Sequence, residues 1–160
     1  MESAITLAYD TYGTVVDSNS KLVWKRYRST QASIDGIVPV TSGDSIVNAV
    51  VAVSNYLGAD FNAVSYMEQG HTAVETFDNI RGVHGISLTG ITYEKALSYV
   101  GDGSPVIARI GEDEYIIITA YNSSEIAYIE ASTGAQKTAS MNEAGKMFSQ
   151  GGNIYVTYYK

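Results

Sequence analysis

The sequence contains no cysteine and only two histidines in 160 residues. The absence of cysteine excludes a disulfide framework, a thiolate metal site and a cysteine nucleophile. A zinc site needs several His, Cys or carboxylate ligands at defined spacing, and neither His71 nor His84 lies in such a pattern. We therefore expect no metal and no other cofactor, and we interpret both histidines as exposed or capping side chains.

Basic residues are also scarce, with ten Lys and Arg against 17 Asp and Glu and a formal charge of −7. A chain of this charge repels the phosphate backbone that dominates nucleic-acid affinity. No stretch approaches the roughly 18 consecutive apolar residues of a membrane span. The sequence therefore predicts no nucleic-acid partner and no membrane span, and it leaves a protein or peptide partner and the oligomeric state open.

The N-terminus lacks the features of a secretory signal peptide. Met1, Glu2 and Ser3 provide no basic region, and the apolar run after them is broken by Asp10 and Gly13. The protein is accordingly expected to be either cytoplasmic or a domain of a longer exported chain.

What the sequence does contain is apolar surface to bury. Apolar residues make up 45% of the chain and charged residues only 17%, against about 25% charged in an average soluble domain. Single hydrophobic cores are typically built from roughly 100 to 200 residues. The composition therefore excludes intrinsic disorder and predicts one domain over residues 1–160.

The first 40 residues have the least regular pattern. Residues 4–12 fit a short helix ended by Gly13 or an alternating strand, and we favour the helix. Residues 14–25 contain two β-prone runs around a Ser-Asn-Ser turn, which predicts a hairpin. The Ser, Thr and Gly content of residues 26–43 predicts a loop and an internal boundary.

Residues 44–103 are dominated by helical patterns. The clearest helix begins with Asp44 as N-cap and ends at Gly58, and it is apolar on most sides, which places it at the centre of the core. Shorter helices are predicted over 60–69 and 72–81, the second with a capping box of Thr72 and Glu75. A fourth helix follows Thr92 and ends near residue 100.

After Gly103 the period becomes that of strands. Residues 105–110, 114–121 and 125–131 predict an antiparallel meander, a capping box of Ser140 and Glu143 predicts a helix to about residue 150, and 153–159 predicts a last strand. Helices followed by strands indicate an α+β domain whose antiparallel sheet is packed on one side by helices. Most tyrosines of this region lie in the predicted strands, where we interpret them as packing residues rather than a ligand-stacking surface.

Two segments of the sequence are candidate sites, one at Ser45 and one at residues 112–114. Ser45 opens the central helix, where unpaired N–H groups and the helix dipole can activate a nucleophile, although most serines there are caps and no general base is evident. The acidic run of residues 112–114 lacks the alternating spacing of a calcium loop, and we interpret it as a solvated turn.

The order of motifs from residue 42 to 160 resembles the C39-like branch of the papain-like cysteine peptidases. That family has a Cys-Gly-Pro helix start thirteen residues before a Leu-Gly, a Pro-Val-Ile strand, a His-containing strand leading to Gly-Tyr, and an Asp-Pro with a nearby Gly. The corresponding segments here are Asn55-Tyr56-Leu57-Gly58, Pro105-Val106-Ile107-Ala108, the strand 114–121 ending in Tyr121, and residues 129–134 ending in Gly134. The resemblance implies a papain-like, C39-like fold with the central helix packed on the antiparallel sheet.

The departures from the family pattern fall on its catalytic positions. Counting back from Gly58 places Ser45 at the nucleophilic cysteine, and the strand alignments place Glu114 at the general-base histidine and Glu130 at the aspartate that orients it. Papain-like catalysis needs an imidazole that takes the proton of the nucleophile. The resemblance therefore implies a degenerate site with no catalytic residues. If Glu114 and Glu130 share one cleft, their repulsion should raise the pKa of at least one of them.

Three hypotheses about function follow from this comparison. The favoured one is a catalytically inactive C39-like domain that serves as a binding or structural module, with residues 1–41 as an N-terminal hairpin and loop extension and 42–160 as the core. The segment before the core resembles that of such domains in larger exported surface proteins of Gram-positive bacteria, which implies the cell envelope and a Met1 that is not native. The alternative is an active hydrolase or amidase centred on Ser45, which requires His71 or His84 to approach Ser45. A third hypothesis, which overlaps the inactive module, is a domain that binds a small ligand or peptide in a tyrosine-lined groove at the family's substrate cleft.

Overall fold

A sheet of seven antiparallel strands forms the centre of the computed structural model, which describes residues 31–160. The helix expected over 4–12 and the hairpin expected over 14–25 lie outside the described residues. The strands are β1 (Ala32–Ser33), β2 (His84–Ser87), β3 (Val106–Gly111), β4 (Glu114–Tyr121), β5 (Glu125–Glu130), β6 (Gln136–Ser140) and β7 (Tyr155–Tyr159). The helices are α1 (Ser45–Tyr56), α2 (Ala63–Glu68), α3 (Ala73–Asp78), α4 (Tyr93–Gly101) and α5 (Met141–Gln150).

The strand order is β2-β7-β3-β4-β5-β6, so the predicted meander is confirmed and extended by β6. The last strand, β7, lies between β3 and β2. Strand β3 pairs with β4 only as far as Ile118. Beyond that point β1 pairs with the last residues of β4, with Ser33 opposite Ala120. A short part of the expected 26–43 loop therefore belongs to the sheet.

The predicted helices are present, with shorter bounds for the second and third. The N-cap hydroxyls of Thr72 and Ser140 accept the N–H groups of Glu75 and Glu143, and both glutamates bind back, so both capping boxes are confirmed. Gly58 follows α1 with a φ of +76°, the left-handed conformation that glycine adopts without strain.

Strands β2 and β6 were not expected from the sequence. Strand β2 reads His-Gly-Ile-Ser, and its glycine is required because a Cβ on Gly85 would lie 2.5 Å from the carbonyl oxygen of Val74 in α3. Strand β6 is an edge strand of mostly exposed polar residues. Neither has the alternating β-branched pattern from which a strand is recognised.

Helices cover both faces of the sheet, which corrects the expectation of a one-sided layer. Ile117 and Ile129 belong to the core under α1 and α3, on what we name the α1 face. Ile116 and Ile118 belong to a second core under α4 and α5, on the opposite face. The consecutive isoleucines of β4 are the physical reason, because a strand with apolar residues at both parities is buried on both sides.

Candidate functional site

The N-terminus of α1 meets the first residues of β4, and Ser45 makes the connection. Its hydroxyl oxygen accepts the backbone N–H of Tyr115 at 2.9 Å and lies 3.4 Å from the carbonyl oxygen of the same residue, to which it donates. Ser45 is 8% exposed. The hydroxyl thus links the start of the central helix to the sheet, and both its donor and its acceptor capacity are used.

Asn48, one turn further along α1, reinforces this junction. Its side-chain oxygen accepts the N–H of Gly43, and its amide donates to the carbonyl oxygens of Gly43 and Ala131, all at 2.8–2.9 Å. The residue is 1% exposed. The amide therefore holds together the loop before α1, the helix and the chain that leaves β5.

The side chain of β4 that faces α1 is that of Tyr115, not that of Glu114. Successive strand residues point to opposite faces, and Tyr115 packs with the α1-face core while Ile116 belongs to the other. Glu114 is exposed and, by this alternation, shares the face of Ile116. The structure brings the backbone of β4 to Ser45, as the alignment requires, but it does not bring the Glu114 carboxylate there.

Glu130 also lies on the face away from α1. It is the cross-strand partner of Ile116, and cross-strand partners share a face. Its carboxylate accepts hydrogen bonds from the ammonium group of Lys137 at 2.8 Å and from the hydroxyl of Thr133 at 2.7 Å. The residue that follows it, Ala131, is the one buried on the α1 face.

These contacts change the expected electrostatics of Glu130. The hydrogen bond from Lys137 is the main cause that lowers the pKa of Glu130, and the bond from Thr133 acts in the same direction. The pair correspondingly raises the pKa of Lys137. The expectation that repulsion between two glutamates raises a carboxyl pKa is therefore wrong for Glu130, because a neighbouring cation and not a carboxylate contacts it.

The two histidines interact with aromatic and acidic neighbours. His71 stacks on Tyr66 with ring centroids 3.8 Å apart and lies 3.7 Å from Glu75. His84 stacks on Tyr159 at 5.1 Å. Neither imidazole is hydrogen-bonded to Ser45, so within residues 31–160 the contact that the hydrolase alternative requires is not observed.

Comparison with solved structures identifies the architecture. A crystal structure of a "putative C39-like peptidase" from Bacillus anthracis superposes with a TM-score of 0.66 at 11% identity, and the match covers 82% of this chain and 98% of the other. The chain has a C39-like peptidase fold. No protein-family model matches the sequence, and no curated protein matches it. At this identity the likeness concerns the fold alone.

Two concave surfaces of the C39-like fold lie away from Ser45. One, of about 560 Å³, lies beside β1 between the ends of β4 and β5. The other, of about 430 Å³, lies at the C-terminal ends of α1 and α4 beside the end of β7. Neither is lined by Ser45, Glu114 or Glu130. A tyrosine-lined cavity does exist, as one hypothesis expected, but at the opposite end of α1 from the position of the family's nucleophile.

The described part of the chain contains neither a metal-binding cluster nor a membrane-spanning helix. No group of three or more His, Asp or Glu side chains there is arranged to hold a metal ion. No helix of residues 31–160 combines the length and apolar character needed to cross a bilayer.

Two residues of this junction, Asn48 and Tyr115, were not among the candidates inferred from the sequence. Asn48 had a visible signal, since it is an amide flanked by apolar residues three positions after Ser45, and a buried amide must find partners. Tyr115 had no such signal, because the parity of a strand relative to α1 is decided by the bulges and pairings of the sheet.

Proposed function

We propose that this C39-like domain is catalytically inactive and serves as a binding or structural module. The observation that supports the proposal is the state of Ser45: a buried hydroxyl whose hydrogen bonds run to the backbone of Tyr115. A nucleophile needs a base that accepts its proton and a free approach to the substrate. The hydroxyl of Ser45 is hydrogen-bonded to the backbone of Tyr115 instead of a base. Because the residue is buried, a substrate cannot approach it freely.

Among the described residues, the two sheet positions that meet the start of α1 carry neither an imidazole nor a carboxylate. Tyr115 occupies the strand position that faces the helix, and Ala131 occupies the position after β5. An imidazole changes its protonation near neutral pH and a phenol does not. Alanine has no side-chain group that could orient a base. We infer that the polar groups at this junction hold α1 against the sheet.

The proposal includes the setting expected from the sequence, a larger exported protein at the cell envelope with a protein or peptide partner. It is supported by the resemblance of the segment before the core to that of C39-like domains in such proteins. Fractionation of cells that express the protein, followed by detection with a specific antibody, tests it; recovery in the cytosolic fraction alone would contradict it.

The activity test uses a single introduced thiol, since these 160 residues contain no cysteine. In Ser45→Cys we expect the thiol to react with Ellman's reagent at least about tenfold more slowly than in Ser123→Cys, a matched control at an exposed turn position. An activated papain-like thiol would instead react faster than the control.

Hydrolysis provides the complementary measurement. The wild type and Ser45→Ala should both leave generic peptide substrates intact, and thiol-directed inhibitors should have no effect on the wild type. Turnover by the wild type that disappears in Ser45→Ala would overturn the proposal and establish Ser45 as a nucleophile.

A further inference from the structure

Four of the nine described residues that line the cavity at the C-terminal end of α1 are tyrosines. Tyr56 lies in the last turn of α1, Tyr99 in the last turn of α4, and Tyr158 and Tyr159 in β7. Since α1 has 12 residues and a helix rises about 1.5 Å per residue, this cavity lies roughly 18 Å from Ser45. Its role is therefore separate from that of the family's catalytic positions.

Two of these rings are exposed but held in place. Tyr56 is 38% exposed and Tyr159 is 50% exposed, which is unusual for large side chains in this structure. Gly36 lies against one side of the Tyr56 ring, and His84 stacks on Tyr159. A ring fixed on one side and open on the other is a binding platform that loses little side-chain entropy when a ligand covers it.

The polar groups of the cavity are hydroxyls and one side chain of each charge. Burial raises the pKa of Tyr158 to about 12, although the neighbouring Ser104 acts in the opposite direction, so the Tyr158 hydroxyl keeps its proton. Asp102 and Lys160 line the same cavity. Their charges offset each other, so the cavity favours neither an anion nor a cation by its net charge.

From this combination we propose that the cavity binds a neutral carbohydrate of one or two rings. The C–H face of a sugar ring packs on the face of an aromatic ring, and its hydroxyls both donate and accept hydrogen bonds. The exposed tyrosine rings can pack on the C–H face of the sugar. The carboxylate, ammonium and hydroxyl groups of the cavity can form hydrogen bonds with the sugar hydroxyls. The volume of about 430 Å³ is within the range of about 300–1,000 Å³ found for small-molecule sites.

The site is expected to bind the sugar without cleaving it. Glycoside hydrolysis ordinarily uses two carboxyl groups on either side of the scissile bond. Among the residues of 31–160 that line this cavity, Asp102 is the one acidic side chain. The inference specifies the ligand class of the proposed binding module, and it is independent of whether Ser45 is a nucleophile.

The test is a titration followed by NMR on uniformly ¹⁵N-labelled protein. The probes are glucose, galactose, N-acetylglucosamine, maltose, cellobiose and lactose, each raised to about 20 mM so that a Kd of about 1 mM would be saturated. We expect at least one sugar to shift the backbone amides of residues 99–104 and 158–160 in a saturable way. Tetramethylammonium chloride and inorganic phosphate serve as charged comparison probes.

Variants connect the shifts to the rings. Tyr56→Ala should weaken binding of the responding sugar at least tenfold, whereas Tyr56→Phe, which keeps the ring, should retain it. Tyr66→Ala is the matched control, since Tyr66 lies on α2 outside the cavity. Thermal midpoints of each variant establish that it is folded.

Three outcomes would overturn the inference. They are no saturable shift of the cavity amides with any sugar of the panel, an equal response in wild type and Tyr56→Ala, or saturable binding of tetramethylammonium or phosphate in place of the sugars. Because peptide hydrolysis is measured separately, a failure here is distinguishable from a failure of the proposed loss of catalysis.

Discussion

Replacing Ser45 with alanine separates a structural hydroxyl from a catalytic one. The substitution removes the acceptor that Tyr115 N–H uses at 2.9 Å. A buried donor that loses its partner costs about 1–3 kcal/mol, so we expect Ser45→Ala to lower the free energy of unfolding by about 2 kcal/mol. For a domain of this size that corresponds to about 4–8 °C in Tm. A serine retained for catalysis behaves differently, since replacing an active-site residue commonly leaves stability unchanged or raises it.

The chain supplies a matched control on the same helix. Ser54 is fully buried in α1, and among the described residues its hydroxyl is the one buried side-chain polar atom without a hydrogen-bond partner. Burying an unpaired hydroxyl costs about 1–3 kcal/mol. Ser54→Ala removes that cost but also loses the packing contacts of the buried hydroxyl, so it should leave stability unchanged or raise it by up to about 1 kcal/mol. Both variants make the same chemical change in one helix, so they differ in the hydrogen bond.

The measurement is urea unfolding followed by circular dichroism, with thermal midpoints as a second readout. The prediction is the order of stability: Ser54→Ala at or above wild type, and Ser45→Ala below both. If Ser45→Ala were as stable as wild type within about 0.5 kcal/mol, the link between α1 and β4 would contribute little, and the argument that Ser45 is structural would be refuted.

Three other substitutions test the packing and charges described above. Asn48→Asp replaces two amide N–H donors with a carboxylate that faces carbonyl oxygens. The substitution should lower the free energy of unfolding, measured in urea, by more than about 3 kcal/mol. An unchanged free energy of unfolding would contradict the placement of the amide. Gly151→Ala would drive a Cβ into the backbone carbonyl of Arg109 and should cost about 3 kcal/mol or more. Gly43→Ala, whose nearest neighbours lie at 3.5 Å or beyond, should be tolerated, and similar Tm values for the two variants would contradict this. Because the pKa of Glu130 is lowered in the folded state, its ionised form stabilises the protein above the unfolded pKa, and this contribution is lost as pH falls through the folded pKa. Glu130→Gln should therefore have a lower Tm than wild type at about pH 7 and a similar Tm at about pH 3. Equal Tm values of variant and wild type at both pH values would show that the ion pair does not stabilise the fold.

The sequence by itself determined the elements whose signals are local. The capping boxes of Thr72 with Glu75 and of Ser140 with Glu143 are satisfied by atoms within one turn, so they could be recognised without knowledge of the fold. The strand 114–121 was predicted with the bounds that the structure has, because a long apolar run between polar turns depends little on its surroundings. The order of these elements was sufficient for the C39-like resemblance.

Local signals failed where pairing supplies the stabilisation. Strand β6 is polar and exposed, and it is a strand because each residue pairs with β5. Strand β2 is held by β7 on one side and by the close approach of α3 to Gly85. The weak intrinsic preference of such segments is overridden by hydrogen bonds to residues distant in the sequence.

The side of the sheet on which each candidate side chain lies was decided by tertiary structure alone. The motif spacing correctly predicted that β4 and the end of β5 lie near the start of α1. It could not predict which side chains face α1, because adjacent residues of a strand point to opposite faces of the sheet. Consequently Tyr115 and Ala131, not Glu114 and Glu130, lie on the α1 face. The grouping of Tyr56, Tyr99 and Tyr158 in one cavity was likewise invisible in the sequence, because it depends on how two helix ends and a strand end pack together, which no local pattern encodes.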